Sequence, residues 1–165
     1  MITEIFQRTL MLIVFCLAQV LVFNRVHVFN CATPFLYVYF AIIFPRSYPR
    51  WAIMLWCFAM GLIIDAFSNT PGVASASMTL AGALQPMLLE LFLPRDADEH
   101  IKVSAGTLNY GKFLTFTTIL TLIFCMAFFA LESFSFFDWL YWLECVVGST
   151  ILTLILILAF ESFRK

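Results

Sequence analysis

The stretch CFAMGLIIDAFSNTPGVASASMTLAGALQPMLLELF, Cys57 to Phe92, decides how this chain is read. It holds two apolar runs of helix length joined by Ser68-Asn69-Thr70-Pro71-Gly72, a cluster of turn formers. The first run carries Asp65. Gly61 lies four residues before it and Cys57 four before that, so the three share one helix face. An ionised carboxylate inside an apolar span costs about 2.5–3.5 kcal/mol on insertion scales, so Asp65 is expected to face protein or trapped water. The second run opens with Ala74, Ser75, Ala76 and Ser77 and continues with Ala81, Gly82 and Ala83. Small residues let helix backbones approach closely in lipid, which makes this the most enclosed helix expected. Pro86 withdraws the amide that would reach the Gly82 carbonyl and predicts a kink just after Gln85.

The sequence on either side has the same character. Of 165 residues, 63% are hydrophobic, 12% are charged and twenty are Phe. With a mean hydropathy of +0.99, that excludes an ordinary soluble domain. Spans are expected over 5–23, 33–44, 51–67, 73–93, 112–131 and 139–160. This is an all-α integral membrane protein, a single domain over 1–165 built as a compact bundle of six transmembrane helices. The first span is expected to be retained: its run exceeds a signal-peptide core, and Asn24-Arg25 follows it in place of a cleavage site. The second is short. Its twelve residues reach about 18 Å as a helix, against a hydrocarbon core of about 30 Å, so it either crosses or is re-entrant. The fifth span is rich in Phe and Leu, suggesting a lipid-facing or partner-facing surface; its threonines are expected to bond their own preceding turn.

Charge distribution gives the orientation. With six spans, Arg8, Arg46, Arg50, Arg95, Lys102, Lys112, Arg164 and Lys165 fall on one side and Arg25 alone on the other. The positive-inside rule then places both termini in the cytoplasm, with residues 24–32, 68–72 and 132–138 outside.

Candidate functional residues are sparse. Asp65 has two readings: a buried polar contact fixing a helix interface or a ligand, or a side chain bonding the Ser68–Thr70 turn. Glu144 and Gly148 repeat the acid-plus-small spacing of Gly61 and Asp65. Gln19 and Arg25 come from the same outer half, so a polar cluster of Arg25 with Asp65 or Glu144 is expected, each charge offsetting the burial of the other. Gln85 is expected to satisfy backbone groups freed at the Pro86 kink, and Glu90 to meet headgroups or Arg95. The five cysteines and two histidines show no ligand spacing. No nucleophile-elbow, phosphate-loop or metalloprotease motif is present. No enzyme activity, cofactor, metal or nucleic-acid partner is therefore expected.

ATPFLYVYFAIIFPRSYPRW (Ala32 to Trp51), followed by FAMGLIIDAFSNTPGVASAS (Phe58 to Ser77), resembles the rod-shape-determining MreD family. That pattern has a short second span opening on Pro, then G-L-x-x-D, then P-G; here it falls on Gly61, Leu62, Asp65, Pro71 and Gly72. The resemblance covers nearly the whole chain. It implies a non-enzymatic subunit of the bacterial elongation machinery in the cytoplasmic (inner) membrane, supporting cell shape and lateral peptidoglycan synthesis. The implied partner is a bitopic MreC-type protein, and through it the MreB filament, the RodA-type polymerase and its transpeptidase. The family is similar in fold to the substrate-binding membrane subunits of energy-coupling-factor transporters. The alternative reading is accordingly a vitamin-type small-molecule binding subunit.

Overall fold

The computed structural model describes residues 2–22, 33–93, 103–133 and 139–164. Its regular secondary structure is all helical. The helices are α1 (Ile2–Leu21), α2 (Val38–Ile42), α3 (Arg50–Ser68), α4 (Val73–Phe92), α5 (Ala105–Leu108), α6 (Tyr110–Ser133) and α7 (Trp139–Arg164). α4 packs against α3 and α6, α6 against α7, and α1 against α3 and α2. Three helices are long and apolar enough to cross a membrane: Arg50–Ser68, Tyr110–Ser133 and Trp139–Ser162. The apolar part of α1, Ile5–Leu21, is shorter. α4 has twenty residues, but Ser75, Ser77, Thr79, Gln85 and Glu90 make it less apolar. Those three helices nevertheless show large apolar side chains on their outer faces, including Leu55, Leu62, Leu122, Ile151 and Ile155, as a protein dissolved in lipid does.

The α3–α4 hairpin is built by its turn. α3 follows Pro49, whose extended backbone (ψ 137°) breaks from the preceding chain. It ends at Asn69, a left-handed residue (φ 57°) whose amide donates to the Asp65 carbonyl. Asn tolerates that conformation better than most residues. Gly72 then opens α4 at φ 87°, where a side chain would be strained. The two helices meet backbone to backbone. A Cβ on Gly61 would lie 2.3 Å from the Ser75 Cα and 2.8 Å from the Ala74 carbonyl oxygen. One on Gly82 would lie 2.8 Å from the Cys57 sulfur. Small residues are thus required on both helices, as close packing in lipid demands. α4 continues through Pro86 without interruption.

Two expectations are corrected by the packing. The second expected span, 33–44, is not a twelve-residue helix. Only the five residues of α2 are helical, a rise of about 7.5 Å, and non-helical backbone flanks them on both sides. Every residue from Pro34 to Phe44 is buried. The segment therefore lies inside the bundle, where other helices shield its backbone from lipid. The phenylalanines of α6 also face inward: Phe113, Phe116 and Phe124 are fully buried. They meet the rings of the broken segment, with Phe124 5.4 Å from Phe35 and 5.5 Å from Tyr37, and Phe128 4.7 Å from Phe35. A phenylalanine is equally apolar against lipid or protein, so composition alone cannot assign its side. Only half the α6 threonines behave as expected. Thr115 and Thr118 bond the carbonyls of Gly111 and Leu114, whereas the buried hydroxyls of Thr117 and Thr121 have no partner.

Replacing Gly61 with Ala should force α3 from α4 and cost about 1–3 kcal/mol of stability. Gly111→Ala, where an added Cβ meets nothing within 4 Å, should change stability by no more than about 1 kcal/mol, in the direction of greater stability. Equilibrium unfolding in mixed detergent micelles measures both.

Candidate functional site

Asp65 is the first polar centre, and its surroundings settle how it is held. It is 6% exposed. Its Oδ1 accepts from the Ala74 amide at 2.9 Å and the Thr70 hydroxyl at 3.1 Å, and its Oδ2 from the Ser75 amide at 2.9 Å. Ala74 and Ser75 stand in the first turn of α4, where backbone amides have no intrahelical acceptor. Gly72, at the N-cap, has no side chain to serve them. Asp65 caps α4 from across the hairpin. Its acidic oxygens also sit at the positive end of that helix. Gly61, Asp65 and Gly72 thus form one mechanical unit: the glycines set approach and turn, and the acid locks the second helix onto the first. Both readings of Asp65 meet here: its bond to Thr70 holds the turn, and its bonds to Ala74 and Ser75 make it a buried polar contact fixing the α3–α4 interface.

The second centre is the backbone of the broken segment. In an apolar bundle core, a buried non-helical backbone needs hydrogen-bond partners beyond its own helix ladder. Gln19 on α1 donates to the Pro34 carbonyl at 2.9 Å and accepts from the Leu36 amide at 3.1 Å. On α7, the Ser149 and Thr153 hydroxyls accept from the amides of Thr33 at 3.1 Å and Phe35 at 3.0 Å. Gln85 on α4 donates to the Phe44 carbonyl at 3.1 Å. This corrects the expectation that Gln85 serves the Pro86 kink: its amide reaches forty-one residues away to the far end of the segment. Farther along, the Tyr39 hydroxyl donates to buried Glu161 on α7. Ser149, Thr153 and Glu161 recur at multiples of four, which gives α7 one polar stripe facing the segment.

Other expected members stand apart. Glu144 is exposed near the start of α7, and Gly148 is half-buried. The Asp65 oxygens are engaged by Thr70 and the α4 start, and Glu144 stands at the sixth position of α7 with its side chain outward. Arg25 lies outside the described residues. Glu90 pairs with Arg50 at 3.9 Å on the surface, both side chains more than half exposed, a contact of little energetic weight. The Arg8 guanidinium lies 4.7 Å from the Phe44 ring centre and 5.9 Å from that of Tyr48. Arg8, Arg50 and Glu90 therefore mark one end of the bundle, and the Ser68–Gly72 turn the other.

At the turn end lies a cavity of about 430 Å³. Gln19, Thr33, Ser68, Thr70, Glu132 and Ser133 give it a polar lining. Phe35, Tyr37, Phe128, Phe129, Tyr141 and Trp142 give it aromatic walls. Two of those side chains hold buried polar atoms without a hydrogen-bond partner, the Tyr37 hydroxyl and the Trp142 Nε1. Cys145 is disulfide-bonded, while Cys16, Cys57 and Cys125 are free; Cys31 lies outside the described residues. Among the described residues, no group of His, Cys, Asp and Glu could hold a metal ion.

The chain matches no family model, no curated protein and no solved structure. The site therefore rests on its own geometry. Reading the sequence missed Ser149, Thr153, Tyr37, Tyr39, Trp142 and Glu161. The first two and Glu161 carried a usable signal, a polar stripe at helical spacing through an otherwise apolar helix. The tyrosines carried none, since an isolated Tyr in an apolar run fits core, lipid interface and binding site alike.

Four substitutions separate these roles. Asp65→Leu leaves two α4 amides without acceptors and should cost about 2–4 kcal/mol, with Asp65→Asn about half as harmful because one oxygen remains. Gln19→Leu, which strands the Pro34 carbonyl and the Leu36 amide, should cost a similar amount. Glu144→Gln should stay within about 0.5 kcal/mol. Unfolding in the same micelles reads all four.

Proposed function

We propose that this chain is a six-pass, non-enzymatic scaffold subunit of the bacterial elongation machinery, resembling MreD, held in the cytoplasmic membrane beside an MreC-type bitopic protein. The observation that carries the reading is the hairpin unit. Of the five positions that carry the resemblance, Gly61, Asp65 and Gly72 act together in closing α3 onto α4, whereas Leu62 is exposed and Pro71 lies in the connecting turn. Six passes are supported by the contents of the two ends. The cavity gathers Gln19, Thr33, Thr70, Glu132 and Tyr141 from five parts of the chain, and Arg8, Phe44 and Tyr48 meet at the opposite end. Orientation has two independent supports. The basic residues favour a cytoplasmic location for the Arg8 end. The disulfide at Cys145 suits an oxidising compartment, which favours placing the turn end outside.

Partner binding falls to α1. Its outward face carries Phe6, Leu10, Ile13, Val14, Leu17 and Leu21, all exposed. Beside it, Leu10, Met11, Val14, Phe15, Tyr39, Ile43 and Phe160 line an apolar groove of about 140 Å³. A single partner helix could seat its side chains there by packing alone, the main driving force between helices in lipid. The cavity favours a second reading, the small-molecule binding subunit of an energy-coupling-factor transporter, whose partners would be cytoplasmic ATPases.

Affinity purification from native membranes distinguishes these assemblies. The scaffold reading expects a bitopic MreC-type protein to co-purify, loss of rod shape on depletion, and at least tenfold lower partner recovery for Val14→Trp with unfolding unchanged. Recovery of ATPase subunits with normal cell shape would favour the transporter instead.

A further inference from the structure

We infer that the groove bordered by α1, the buried segment and Phe160 of α7 holds an acyl chain of an anionic phospholipid, whose headgroup lies at Arg8 and Arg46. The inference rests on the membrane reading of the chain and not on the MreC-type partner. A partner helix would take the same groove by displacing this lipid.

The floor of the groove is built from three rings. Phe15 of α1, Tyr39 of the buried segment and Phe160 of α7 meet at 5.4–5.7 Å between ring centres, so its shape is set before anything enters. Leu10, Met11, Val14 and Ile43 complete the lining. The one hydroxyl among these side chains, that of Tyr39, is committed to Glu161, which is itself buried. The lining side chains of this hollow of about 140 Å³ therefore offer a guest hydrocarbon contact and no free hydroxyl. Leu10, Val14 and Leu17, all exposed, carry the same apolar face along the helix. A methylene chain matches such a surface; a polar guest would lose its hydration there for nothing in return.

One end of the groove is different. Arg8 precedes Met11 by three residues, which puts it on the same side of α1, one turn nearer the helix start. Its guanidinium lies 4.7 Å from the ring centre of Phe44, the residue that follows Ile43 of the lining. The next turn of chain closes with the Tyr48 amide donating to the Pro45 carbonyl at 3.1 Å. That turn carries Arg46, which is exposed. Two cations thus border the end of an apolar groove that faces lipid. The groove alone would accept any acyl chain, because lipid tails and these side chains are equally apolar. The charges select. A guanidinium meets phosphate with paired N–H donors, and a headgroup of net negative charge gains from both arginines. A zwitterionic headgroup brings its own ammonium and gains less. Basic pockets between helices on the cytoplasmic side suit anionic headgroups in general, and the basic residues favour that side for the Arg8 end.

The test takes the full chain, purified without partners, into nanodiscs of equal phosphatidylglycerol and phosphatidylcholine with matched acyl chains. Native mass spectrometry then weighs the lipid that the protein retains. That lipid should be at least tenfold enriched in phosphatidylglycerol. Arg8→Gln and Arg46→Gln should each lower the enrichment about fivefold, the weight of one basic residue beside an anionic headgroup. Arg8→Lys, which keeps the charge, should retain most of it. Lys112→Gln removes an exposed cation from the start of α6 and should leave it unchanged. Val14→Trp fills the groove from an exposed position and should cut the retained phosphatidylglycerol at least fivefold with unfolding unchanged. Equal retention of the two lipids overturns the inference. So does an enrichment that survives both arginine substitutions, one that Lys112→Gln lowers as much as Arg8→Gln, or undiminished phosphatidylglycerol on Val14→Trp. No partner is present in these measurements, so the scaffold reading stands or falls separately, on its own co-purification.

Discussion

The structure depends on one constraint: an irregular stretch of backbone buried in an apolar bundle needs hydrogen-bond partners for its amides and carbonyls. Among the described residues, helical regularity breaks inside the core at the start of α4 and along 33–44, and each break has a dedicated set of polar side chains. Where α4 starts, Asp65 takes the free amides of Ala74 and Ser75. Where 33–44 runs non-helically beside α7, Gln19, Ser149, Thr153 and Gln85 take its amides and carbonyls. A buried N–H or C=O left without a partner costs about 1–3 kcal/mol. Loss of any one of these contacts should therefore be felt in the stability of the fold.

This division of labour explains why so apolar a chain keeps polar residues at such depth. A conventional second span would have needed none of them. The broken one gives the bundle something a straight helix would not: its non-helical start, Thr33 to Tyr37, brings Phe35 and Tyr37 into the wall of a cavity rather than winding them around a helix axis. The cavity and the irregular backbone are consequences of the same choice. The acid of the hairpin is also tied to it, because Thr70, which donates to Asp65, lines the cavity.

Much of the helical layout was legible from hydrophobic runs and turn formers. The boundaries of α3, α4 and α7 follow Pro49, the Ser68–Gly72 cluster and Trp139, and the small residues of α4 announced its close approach to a neighbour. What could not be read was direction. Glu144 and Asp65 look alike in sequence, yet one is exposed and the other buried, because only Asp65 faces a helix start. The phenylalanines of α6 are apolar in either setting, so their inward orientation is a property of the packing partners. Gln85 was legible as a buried amide but not as the partner of Phe44, since a contact across forty-one residues leaves no local trace.

The central claim is that the backbone of 33–44 is sealed by side-chain hydrogen bonds although little of it is helical. Amide hydrogen exchange in nanodiscs, followed over peptides covering residues 33–44, measures this most directly. The account expects Phe35 and Leu36 to exchange as slowly as amides in the middle of α6. Exchange at the rate of an open loop, with α6 still protected, would contradict it.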